Sequence, residues 1–202
     1  MCSRFEMNSP PRELARRFGL KAPPQAPNTP ELRPTDQALV IDRAGGGAEP
    51  AARLLGWGLS VTWDTKPLIN ARAETLAEKP TFRPLLGSRC LVPATAWFEW
   101  QKVGRAKLKN RIAPSVDGPF AFAGLTDGER FTIVTCAAAP AIAHIHHRMP
   151  VILEAAAEPK WIDPAVDFAE VKELLRPYAG PLTADQEAPP GIGPRQKPDL
   201  FG

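Results

Sequence analysis

FAFAGLTDGERFTIVTCAA, residues 120–138, decides the fold. Two runs rich in Phe, Val, Ile and Thr flank Asp127-Gly128, a dipeptide suited to the positive-φ position of a tight turn, so the segment predicts a β-hairpin. Working outward, QALVID (37–42), RLLGWGLSVTW (53–63), RCLVPATAWFEWQ (89–101) and VILE (151–154) read as further strands. Pro93 allows an edge or bend in the third of these. Helical signals are short: PRELARRFGL (11–20) places Leu14, Ala15 and Phe18 on one side, ARAETLAE (71–78) has good helix formers, and FAEVKELLRPYA (168–179) is stopped by Pro177 and Gly180. The stretch 22–35 reads as a proline-rich loop, and GGGAEP (45–50) as a turn or a disordered tip. The expected fold is a single α+β domain over 1–180, with a twisted, mostly antiparallel β-sheet core and a few short helices. Residues 181–202, rich in Pro and Gly with little apolar content, read as a loosely ordered tail.

Composition narrows the function. The chain has 202 residues, enough to bury a substantial core, and its 24 prolines argue for short elements joined by structured turns rather than a helical bundle. A net charge of +3 and a pI near 8.9 are compatible with a local anion-binding groove. Cys2, Cys90 and Cys136 form no spaced framework, which predicts a reduced, intracellular protein. No basic amino-terminal region precedes an apolar stretch, and no run of 18 apolar residues occurs, so neither secretion nor membrane insertion is expected.

Four stretches carry candidate chemistry. In MCSRF (1–5), Cys2 has the small second side chain that permits removal of Met1, which would leave a free α-amine beside a thiol. Such a pair can condense with an aldehyde to an imine and close through sulfur to a thiazolidine; the alternative is an accident of where translation starts. In INARAET (69–75), Asn70 and Arg72 share a face if the stretch is extended. Asn can hold an amine and a carbonyl together and Arg can fork onto phosphate, or the two are a helix cap and a solvated cation. In WFEWQ (97–101), Glu99 projects opposite Phe98 and Trp100, on the side of Trp97. Aromatic neighbours would raise its pKa and suit it to proton transfer, unless it points into water. HIHHRMP (144–150) holds all three histidines; alternation would put His144 and His146 on one face. Nothing suitably spaced completes a metal site, so one imidazole acting as acid or base is the stronger reading. Trp57, Trp63 and Trp100 are either stacking platforms for unpaired bases or core residues.

Taken in order, MCSRF, LRPT before ALVI, WGLSVTW, INARAET, KPTFR, RCLVPATAWFEW, FAFAGL, FTIVT, IHHRMPVIL and Trp161-Ile162-Asp163 resemble the SRAP family. These are the SOS-response-associated peptidases, whose members shield abasic sites in single-stranded DNA. The resemblance spans roughly residues 2–163 and implies a partly barrel-like SRAP fold. It implies that Cys2, freed of Met1, links covalently to the aldehyde of an abasic sugar as a thiazolidine. Asn70 would orient Cys2, Glu99 would transfer protons, and His146 would assist opening of the sugar ring. Arg72 would clamp a phosphate, with Arg4, Arg83 and Arg148 as further phosphate contacts, while Pro34, Trp63, Trp100 and Thr135 match positions lining the DNA groove. The expected partner is single-stranded DNA containing abasic sites, bound by a cytoplasmic monomer without metal, cofactor or membrane. The chain departs from the family at Ser3, usually Gly, at Glu31, often Asn, and at Phe98, commonly Tyr. Two rival functions remain: a thiol peptidase acting on its own Met1, and a DNA-binding module with no covalent step.

Overall fold

The computed structural model describes residues 2–25, 29–43 and 49–187; most of the turn expected at 45–50 lies outside them. In chain order the first half contains β1 (Phe5–Met7), α1 (Pro11–Phe18), β2 (Thr29–Leu32), β3 (Gln37–Asp42), β4 (Ala51–Trp57), β5 (Leu59–Val61), β6 (Asp64–Leu68) and β7 (Asn70–Arg72). There follow β8 (Arg89–Ala94), β9 (Ala96–Val103), β10 (Ala106–Pro114), β11 (Phe120–Thr126) and β12 (Arg130–Ala137). Last come β13 (Arg148–Pro150), β14 (Ile152–Leu153), α2 (Glu158–Trp161), α3 (Phe168–Val171) and β15 (Leu182–Gln186).

The hairpin of residues 120–138 is β11–β12. Asp127 Oδ1 accepts the amides of Glu129 and Arg130 at 3.0 and 2.7 Å, and Gly128 takes φ +99°, where a side chain would be strained. Both strands are buried along almost their whole length, without the alternation of a one-sided sheet. The topology explains why. β12 pairs with β4, β4 with β3, β3 with β8, β8 with β11, and β11 again with β12, so five strands close on themselves as a barrel. Most pairings are antiparallel; β4 and β7 each join β12 in parallel. At Gly124 in β11 an added Cβ would lie 2.8 Å from Cys90 Sγ and 3.0 Å from Val92 Cγ2, so only glycine lets β8 and β11 approach this closely.

A second sheet, ordered β15-β10-β9-β1-β2, lies against the barrel through an aromatic seam. Phe5 meets Trp57 edge-on at 5.0 Å between ring centroids, and Trp97 meets Phe122 at 6.1 Å. Trp57 is therefore a core residue; its indole N–H donates to the Ile69 carbonyl at 2.9 Å, which excludes it as a stacking platform. Arg89 fastens the region after α2 to β8. Its buried guanidinium donates to the carbonyls of Trp161, Leu86, Asp163 and Val166 at 2.5–2.8 Å.

Several sequence expectations need correction. Residues 89–101 form two strands in different sheets, β8 and β9, rather than one. The helix expected at 71–78 is a strand to Arg72 followed by a single 3-10 turn at Ala73–Thr75. The helix at 168–179 is one α turn with an Asp167–Glu170 capping box, then a 3-10 turn that ends at Leu174, before Pro177 is reached. The stretch 143–147 is turn rather than strand, so alternation does not govern His144 and His146. Residues 182–186, placed by composition in a loose tail, form β15 and pair along β10 from Asn110 to Pro114. Among the described residues, no helix is long and apolar enough to cross a membrane.

Candidate functional site

β1 is paired on both edges, with Phe5 opposite Trp97 of β9 and Leu32 of β2. This fixes the front of the chain, which in most domains would fray. Cys2 is fully buried, with its Sγ 3.5 Å from the Arg4 carbonyl. Its own carbonyl accepts a 2.7 Å bond from Asn70 Nδ2. Asn70 opens β7, which lies parallel to β12 with Asn70 opposite Ile133 and Arg72 opposite Thr135, so one amide ties the amino terminus to the barrel. Because β7 is extended, Asn70 and Arg72 share a face, and the intervening Ala71 is buried. Asn70 Oδ1 is buried and accepts no hydrogen bond among the described residues.

Glu99 on β9 points inward with Trp97, only 2% exposed. Burial pushes its pKa up to about 7, against the opposing pull of the positive amino terminus. Burial likewise pushes the Cys2 thiol far up, reinforced by the Glu99 charge. His146 Nδ1 lies 4.0 Å from Glu99 Oε2, within reach of ion pairing but beyond a hydrogen bond. The same nitrogen is 3.0 Å from both the amide nitrogen and the carbonyl oxygen of Arg148. Burial lowers the His146 pKa, although the Arg148 carbonyl favours the protonated ring. The ring proton follows which Arg148 group Nδ1 engages: accepting the N–H leaves it on Nε2, and donating to the carbonyl keeps it on Nδ1. The His147 ring stacks on it, centroids 4.5 Å apart.

An anchored Cys2, an amide on its carbonyl, a carboxyl titrating near neutrality and a neutral imidazole thus come from four distant stretches. Residues 1–187 match the family described as SOS response associated peptidase (SRAP). The chain belongs to this SRAP family. It is 34% identical over 196 residues to the abasic site processing protein YoqW of Bacillus subtilis, covering 88% of each chain. It is 33% identical over 152 residues to the abasic site processing protein YedK of Escherichia coli, covering 71% of this chain and 64% of that one. A solved protein from Bacteroides thetaiotaomicron superposes with a TM-score of 0.78 at 26% identity, over 92% of this chain and 91% of that one.

Around this SRAP centre the residues expected to face DNA fall into distinct environments. Arg72 is exposed, and its charge helps Arg148 lower the pKa of Glu74. Trp63, 66% exposed, stands on an open groove of about 650 Å³ with Thr35, Ser60, Asp64, Pro67 and Arg130. Pro34 and Trp100 are half-buried. Arg4 and Arg148 are already paired, Arg4 with Glu31 at 2.5 Å and Arg148 with Glu74 at 2.7 and 3.0 Å. Thr135 is fully buried, and its carbonyl and hydroxyl receive the Arg148 guanidinium at 2.7 and 3.2 Å; its side chain supports that arginine instead of forming a surface. Arg83 is exposed on a separate groove with Ala77, Leu86, Asp167 and Lys172, which none of Cys2, Asn70, Glu99 and His146 lines.

Two features of the site went unread in the sequence. Glu74 lies 74 positions from its partner Arg148, a distance across which no local pattern signals. Thr35 takes φ +77° at the third position of a turn closed by the Asp36 amide on the Arg33 carbonyl at 3.0 Å. That position ordinarily takes glycine, so the backbone here is strained beside the Trp63 groove. The Pro34-Thr35 pair in LRPT was its only sequence trace.

Proposed function

We propose that this chain processes abasic sites in single-stranded DNA by linking itself to them through Cys2 once Met1 has been removed. The observation that carries the reading is the Asn70 bond to the Cys2 carbonyl, which holds the residue beside a carboxyl of pKa about 7. The α-amine of Cys2 adds to the C1′ aldehyde of the ring-opened sugar, and the carbinolamine loses one water to give the imine. Sγ then adds to the imine carbon while its proton passes to nitrogen, closing the thiazolidine. Glu99 accepts a proton from the amine and returns it to the departing hydroxyl; near its pKa it can do both. Asn70 Oδ1, buried and unpartnered among the described residues, is an acceptor for the amine. His146, whose pKa burial lowers, assists opening of the sugar ring.

On the binding face, Arg72 takes a phosphate directly. Arg4 and Arg148 exchange their glutamates for phosphates, with Thr135 holding Arg148 in place. Pro34, Trp63 and Trp100 contact the unpaired strand, and Arg83 meets it further out. The peptidase alternative needs a thiolate, which burial of Cys2 disfavours at neutral pH.

The test mixes the protein with single-stranded DNA carrying one abasic site and resolves the products on a denaturing gel. A shifted band is expected, absent for Cys2→Ala and for intact DNA. Protein that forms the band while retaining Met1 by intact mass would overturn the mechanism.

A further inference from the structure

One face of the β9–β10 hairpin carries Phe98, Trp100 and Lys102 on β9 and, directly opposite them, Arg111, Lys109 and Lys107 on β10. Along most of this face each cation is matched. Arg111 pairs with Glu6 at 2.7 Å, and Lys109 pairs with Glu31 and Glu187 at 2.5 and 3.0 Å. At its end the matching stops. Lys102 and Lys107 oppose each other across the ladder, both exposed, and neither has a carboxylate partner among the described residues. Like charges directly opposite destabilise a sheet, so folding alone does not account for this pair. The turn beyond it, with Gly104 at φ +59°, adds the exposed Arg105.

The same two lysines line an open groove of about 370 Å³ with Trp100, Arg4 and Ser3, the residue that follows Cys2. An indole face flanked by unmatched cations suits a polyanion with unpaired aromatic bases. We infer that the Lys102–Lys107 end of the hairpin is a phosphate track, which carries single-stranded DNA away from Cys2 while a base stacks on Trp100. The inference rests on the proposal that this face receives single-stranded DNA, but it does not need the covalent step.

The test therefore uses a fluorescent single strand with no abasic site, titrated over a series of salt concentrations. Two lost phosphate contacts should make the slope of log K against log salt shallower by about 1.4 in the Lys102→Gln/Lys107→Gln variant. Affinity near 0.1 M salt should fall by about 25-fold. Lys102→Arg/Lys107→Arg should keep both values. The melting temperature should not fall in the Gln variant, since a repulsive pair has gone. An unchanged slope, or an equal loss for Lys160→Gln, a lysine exposed on α2, overturns the inference. A missing covalent band with the slope change intact would count against Cys2 chemistry alone.

Discussion

Replacing Glu99 with Gln keeps the shape of the side chain and removes its titration. A pKa of about 7 in place of the 4.5 of a free glutamate amounts to roughly 3 kcal/mol, at about 1.4 kcal/mol per pH unit. The sign comes from counting protons. Between pH 4.5 and about 7 the folded chain holds a proton at Glu99 that the unfolded chain has released, so stability falls as pH rises through this window. Below it both states are protonated and the cost vanishes; above it the cost is complete. The stability of Glu99→Gln relative to the natural chain should therefore grow by roughly 3 kcal/mol between about pH 4 and about pH 8. Urea unfolding followed by tryptophan fluorescence across that range measures the difference directly. The rate of abasic-site linkage should lose its inflection near pH 7 in the same variant. A stability difference that stays flat with pH would refute the buried, neutral Glu99 and the proton transfer assigned to it.

Three further substitutions probe the surroundings. Asn70→Ala removes the 2.7 Å bond to the Cys2 carbonyl; linkage measured by denaturing gel should slow by roughly 10–100-fold, for about 1 kcal/mol of stability. Asn70→Asp should be slower still, because a carboxylate would face that carbonyl. Glu31→Gln frees Arg4 and loosens Lys109, so binding of intact single-stranded DNA should tighten about fivefold near 0.1 M salt for each cation released, with a steeper salt slope. Arg89→Ala removes the buried guanidinium from four carbonyls, the Trp161 one buried and the others partly so, and should lower unfolding stability by about 3 kcal/mol.

What could be read in the sequence was what local patterns encode. The β11–β12 hairpin was legible because Asp127-Gly128 chooses the turn between two apolar runs. The side taken by Glu99 was legible because alternation along β9 fixes it. Closure of the barrel was not: β12 accepts β4 and β7 in parallel from far upstream, and neither pairing leaves a trace in the paired segments. Nor was β15, whose mostly polar, exposed residues join a sheet edge through backbone bonds, the Thr183 hydroxyl on the Ala113 carbonyl and the packing of Leu182 on the core. Around the site, the motifs pointed to Asn70 and His146, yet the glutamates that hold Arg4 and Arg148 became visible only once distant segments met.

All three thiols are buried: Cys2 at the chain front, Cys90 in β8 and Cys136 in β12, where burial pushes the pKa up to about 12. Alkylating reagents attack the thiolate, so each cysteine reacts only when its own neighbourhood opens. The natural chain thus carries three built-in reporters of local unfolding. Labelling at Cys2 times the release of β1, and labelling at Cys90 and Cys136 times the opening of the barrel. A Cys2 that labels well ahead of the other two would identify the front strand as a unit that detaches by itself.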